Sequence, residues 1–295
     1  GGPSQSAELA RDVGATLSMA GLVLALGVVV FLAKVHRGQA TEIRALLLTA
    51  GVGAVALLVG AVVELAGIEV VFDTGWSDVL SVEVSSAPML RLLAGALVVV
   101  GLGTAVTHDE HGVRWVAGPD STFGLVGLAL GALSFGFDGH TVSKGPRGVQ
   151  LVADLVHVGA GAVWVGGVVS LVVVMVLRRR RGATVADLVV RFSPVATVAL
   201  VAVAVAGAVM AVFIVDGIDD LTGTVWGRRL VIKLVAVAVA AALGGYHHLV
   251  TVRRLDDPAT SAQAIARART TLVVEALVLA FVVAATGYLV NGATT

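Results

Sequence analysis

An aspartate and a histidine three residues apart, Asp154 and His157, interrupt an apolar stretch that runs on through Gly161 and Trp164 to Gly166 and Gly167. On a helix, Asp154, His157, Gly161 and Trp164 fall at i, i+3, i+7 and i+10 and share one face, polar at one end and small lower down. A carboxylate beside an imidazole can hold a metal ion, and a buried imidazole is also the usual axial ligand of a b-type haem. A charge near the centre of a bilayer costs roughly 2.5–3.5 kcal/mol, so ionisable groups at that depth need a reason. At about 1.5 Å per residue, His157 lies about 12 Å below the outer end of its apolar run. The plainer alternative is a histidine bonded to a neighbouring carbonyl, with Asp154 neutralising Lys233 or Arg91 at similar depth.

Four more candidate ligands fall in the same outer third: His140, just past the fourth apolar run, Met19 in the first, Met89 opening the third and Met210 late in the sixth. Thioether favours Cu(I) and imidazole tolerates both copper oxidation states, so this set suits copper. A lone methionine is more often a filler of gaps in a core, and His140 fits a solvated loop equally well. Haem ligation needs two histidines at facing depths, and His157 has no obvious partner at its own. Lys233 and Arg91 sit just inside the outer boundary, where ion pairing with Asp154 or Glu64 is the expected role. Glu275, in the inner half of the last run, is placed to pair with His247 or His248 or to act as a relay. His36, His108, His111, His247 and His248 gather on the inner side, where His108 and His111 would be neighbours on a helical turn; surface histidines and a metal exit are both open readings.

The elements that must carry these residues follow from composition. Of 295 residues, 57% are hydrophobic and 14% charged, with mean hydropathy +0.97. Soluble domains are about 45–50% apolar, so water is not the main solvent here. The apolar blocks match a hydrocarbon core of about 30 Å. Their Val and Gly content favours strands in water, yet in lipid a single segment satisfies its own backbone only as a helix. The expected fold is an all-α integral membrane protein of eight transmembrane helices, near Gly14–Leu32, Ala45–Leu65, Met89–Val106, Thr122–Phe137, Val149–Leu177, Val195–Val215, Leu230–Val250 and Thr271–Val290.

Loop charge sets the expected orientation. Lys34, Arg37 and Arg44, then Arg114, then Arg178 to Arg181 with Arg191, then Arg253, Arg254, Arg267 and Arg269 occupy one set of loops, which reads as cytoplasmic. The opposite loops are acidic, with Glu69, Asp73, Asp78, Glu83, Asp216, Asp219 and Asp220, so both termini are expected outside the cytoplasm. A repeat of about 142 to 144 residues pairs Arg37-Gly38 with Arg181-Gly182, and Met89 to Leu92 with Val231 to Leu234. It predicts two parallel four-helix halves, 1–138 and 139–295, with a site at their interface. The chain opens Gly1-Gly2-Pro3 without a Met or a signal peptide, as expected of a processed or excised piece of something longer.

Several chemistries find no support. With no cysteine there is no disulfide and no thiolate metal site. No phosphate-binding Gly-Lys-Ser/Thr loop, Ser-His-Asp arrangement or His-Glu-x-x-His motif occurs, so the reading is not that of an ATPase or hydrolase, nor of an enzyme. Basic and acidic residues balance at 20 each, which gives no hint of a nucleic-acid partner.

The second half resembles the copper-resistance D (CopD) family of bacterial inner-membrane proteins. The resemblance rests on Gly139-His140; Asp154-Leu155-Val156-His157 with Val163 to Gly167; Arg191-Phe192-Ser193-Pro194; Gly227 to Leu234; and Glu275, covering about Gly139 to Val290. Leu90-Arg91-Leu92 is similar to the family's first half. The resemblance implies copper handling across the cytoplasmic membrane, usually read as uptake from the periplasm, with a soluble periplasmic CopC-like copper-binding partner that is sometimes fused ahead of the first span. A non-transporting membrane anchor for such a domain is the remaining alternative. Tyr246-His247-His248-Leu249 departs from the family, where an Asn-Arg type pair is expected.

Overall fold

The computed structural model describes residues 5–73, 75–79, 85–103, 106–109, 112–137, 146–214, 223, 225–246, 270 and 273–283. Its principal helices are α1 (Gln5–Lys34), α2 (Ala40–Phe72), α3 (Ser86–Gly101), α4 (Thr122–Ser134, continued by a 3-10 turn Phe135–Phe137), α5 (Arg147–Arg179), α6 (Ala186–Ile214), α7 (Val225–Tyr246) and α8 (Val273–Val283). Among the described residues, five helices are long and apolar enough to cross a membrane: α1, α2, α4 with its flanking turns, α5 and α6. The apolar parts of α3, α7 and α8 are shorter, at 10–17 residues.

α1 and α2 meet along small residues spaced seven apart. Ala7, Gly14 and Gly21 on α1 face Gly53, Gly60 and Gly67 on α2; a Cβ at Gly14 would lie 2.7 Å from the Gly60 carbonyl. In lipid no hydrophobic force drives helices together, so close backbone approach replaces it, and the period of seven keeps the seam continuous. Around this seam Leu22, Leu46, Leu57, Ala94 and Val98 belong to a buried core that continues to Leu171 of α5 and Phe192 of α6.

α1 also packs against α5. Gly27 and Gly166 abut backbone to backbone, and a Cβ on Gly27 would collide with the Ala162 carbonyl. The C-terminal ends of α1 and α5 come together at Arg37 and Arg178, so the two helices run parallel. Phe192 of α6 fills the notch left by Gly167 and stacks edge-on against Phe31 at 5.9 Å. That contact joins Val165-Gly166-Gly167 to Arg191-Phe192-Ser193-Pro194: one supplies the notch and the other the ring.

Two expectations need correction. The third apolar run stops at Gly101, because Val106–Asp109 and Gly112–Trp115 form an antiparallel hairpin. His108 therefore lies in a strand opposite Val113, not on a helical turn with His111, which is outside the described residues. Gly112 supports the hairpin with φ 119, a conformation that other residues rarely adopt. The hairpin docks by a bridge from Gly38 to Val113 and by Arg114 donating to the Ala33 carbonyl at 3.3 Å. Lys34, Arg37, Arg114 and Arg178 to Arg181 thus share one end of the bundle.

Candidate metal centre

α5 and α6 position the histidine. His157 Nδ1 donates to the Val203 carbonyl of α6 at 3.1 Å. A carbonyl only accepts, so the proton sits on Nδ1 and the Nε2 lone pair is left available, the usual state of a metal-binding imidazole held by a backbone carbonyl. Gly207, one turn further along α6, makes room for the ring; a Cβ there would lie 3.4 Å from His157 Cε1. Met210 follows at i+7 from Val203, on the same face of α6. Asp154 lies one turn from His157 toward the opposite end of α5 from Arg178. Lys233 of α7 is within electrostatic range of both Asp154 and His157.

The structure thus brings Lys233 near both Asp154 and His157, with Met210 two turns along α6 from Val203. It leaves the other candidates apart. Met89 is 37% exposed on the outside of α3, and Met19 is partly buried against the main core. His140 lies outside the described residues, as do His247 and His248. Among the described residues no group of three or more His, Asp or Glu side chains could hold a metal ion. The described donor set is one imidazole and one carboxylate, with a thioether on the facing helix.

Arg91 is spoken for elsewhere. Fully buried, it grips Glu64 at 3.0 and 2.8 Å and lies 4.1 Å over the Phe135 ring. A guanidinium whose Nη1 reaches both oxygens of a carboxylate and which lies over a ring makes a structural ion pair. Glu275 is 3% exposed and accepts from Trp164 Nε1 at 3.2 Å, with Gly244 of α7 beside it. The face of α5 that carries His157 and Trp164 is therefore shared between two neighbours, α6 at the histidine and α8 at the tryptophan.

A cluster missed in the sequence sits at the arginine-rich end: Arg178 binds Glu42 and Asp187, and His36 binds Glu42. Arg178 reads there as one of four loop arginines; its burial follows only from the meeting of α1 and α5.

Residues 186–289 match the family model described as copper resistance protein D, CopD. Those residues are a CopD-family segment. The CopD match takes in α6, α7 and α8, with Val203, Lys233 and Glu275, while Asp154 and His157 on α5 precede it. The chain is also similar to the copper transport protein CutJ of Bacillus subtilis (strain 168), 30% identical over 139 residues, which is 46% of this chain and 25% of that protein. The chain therefore spans about a quarter of that relative's length. No solved structure matches it. With its CopD segment and its apolar helices, this is a multi-pass membrane protein.

Proposed function

We propose that the chain moves copper across the bacterial cytoplasmic membrane, binding it near Asp154 and His157 and passing it inward between the two halves. The observation that carries this reading is the His157 ring, fixed through Nδ1 by the Val203 carbonyl so that Nε2 remains a donor, with Asp154 one turn away on the same helix. The CopD segment and the similarity to a protein named for copper transport supply the metal. In this reading the arginine-rich end is cytoplasmic and the Asp154 end faces outward, where a CopC-like protein or domain delivers the ion. Eight spans, a pseudo-repeat of two four-helix halves and termini outside the cytoplasm complete the picture. Gly27 and Gly166 meet backbone to backbone where the parallel helices α1 and α5 cross. The chain acts as a transporter and performs no catalysis.

Haem has less to stand on. Of the described histidines, His36 is bound to Glu42 at the opposite end and His108 lies in the hairpin, so neither faces His157. Copper uptake into proteoliposomes, with the wild type beside His157→Ala and an Asp154→Asn/His157→Ala double variant, tests the proposal. Uptake by the wild type and at least about a tenfold loss in both variants supports it. Equal uptake by all three removes the site, and a Soret band in the purified protein turns the assignment to haem.

A further inference from the structure

All the donors of Arg178 are engaged at the arginine-rich end. Nε donates to Glu42 Oε1 at 3.0 Å, and Nη2 to Glu42 Oε2 at 3.2 Å and the Arg37 carbonyl at 3.0 Å. Nη1 donates to the Thr184 carbonyl at 3.0 Å and to Asp187 Oδ1 at 2.6 Å. One side chain thereby ties the α1–α2 turn, the start of α2, the α5–α6 turn and the start of α6. Glu42, 1% exposed, also meets His36 Nε2 at 3.0 Å. Gly38 seals the cluster: a Cβ there would collide with the Glu42 carboxylate, and its backbone pairs with Val113 of the hairpin. Outside the core of the cluster, Arg181 adds bonds to Gln39 and, at 2.9 Å, to Thr41.

We propose that this cluster is the inner gate of the transport path, an ionic clamp that holds the two halves shut at the end of α5 opposite Asp154 and His157 and opens as a unit to let the ion leave. The inference rests on the transport reading above. Three observations carry it. The clamp joins the two halves through turns and helix starts, where small rotations are absorbed, and Gly182 in the α5–α6 turn already holds φ 70. Toward the middle of the bundle the halves touch by bare backbone at Gly27 and Gly166, a contact that can act as a pivot. At its centre the Arg178–Glu42 pair is buried, so separating the two strands the Glu42 carboxylate in the interior, which favours two discrete states over a graded one. His36 Nδ1, buried without a hydrogen-bond partner among the described residues, is a group that opening would satisfy.

The chain has no cysteine, so a single introduced thiol reports on the gate. Ser170 is fully buried on α5, one turn from Gly166 toward the clamp. In the full chain in proteoliposomes, Ser170→Cys is labelled with a small thiol reagent from the arginine-rich face, with and without Glu42→Gln. Labelling at least about tenfold faster with Glu42→Gln is expected, and equal rates overturn the clamp. A second arm does not depend on the stability of that variant: Gln39→Cys and Arg181→Cys are bridged by a reductively cleavable bifunctional reagent. Bridging is expected to stop copper uptake and reduction to restore it; uptake at the unbridged rate overturns the clamp. Labelling needs no copper, so a chain that labels as expected but carries none refutes the transport reading and leaves the gate standing.

Discussion

A buried guanidinium and a half-buried imidazole do different work in this molecule, and their partners show which is which. Arg91 has the Glu64 carboxylate at its Nη1 and the Phe135 ring beneath it, so its charge is paired inside the bundle. Removing one partner of such a pair strands a buried charge, at a cost of about 3–5 kcal/mol. Arg91→Leu is therefore expected to lower the thermal midpoint in detergent steeply, and Arg91→Leu with Glu64→Leu to recover much of the loss. A double variant no better than the single would show that the pair is not coupled. His157 is held by one nitrogen only, which is why it, and not Arg91, is assigned to the ion.

Helix pairing shows the same logic through absent side chains. A Cβ at Gly60 would lie 2.6 Å from the Gly14 carbonyl, whereas a Cβ at Gly159 would meet nothing within 4 Å. Gly60→Ala is expected to destabilise by about 1–3 kcal/mol through overpacking. Gly159→Ala should be neutral or gain up to about 1 kcal/mol from helix propensity. Thermal unfolding of both, side by side, checks the seam; equal stabilities would remove it. The helical runs were legible in the sequence because lipid demands long apolar segments, and the α1–α2 glycines were visible, though not their register. Other features were not legible. The Val106–Trp115 hairpin is too short for a period of two to stand out. The burial of Arg178 depends on Glu42, far away in the chain, and the Trp164–Glu275 bond depends on how α8 returns against α5. Spacing along one helix places residues on a face but does not say which neighbour that face meets.

Taken whole, the molecule is polarised: a carboxylate, an imidazole and an ammonium gather toward one end, and a bonded cluster of arginines closes the other. The proposed orientation predicts that Gly148→Cys, exposed at the start of α5, reacts with an impermeant thiol reagent in intact cells, while Arg180→Cys, exposed at its far end, reacts only after permeabilisation. The opposite pattern would invert the assigned direction of transport. Most directly, the account stands on copper held at His157. Metal content and X-ray absorption of the purified chain after copper loading should show bound copper with nitrogen and oxygen ligands in the wild type and a loss of affinity of about 100-fold or more in His157→Ala. Equal binding by the two, or none by either, would contradict it.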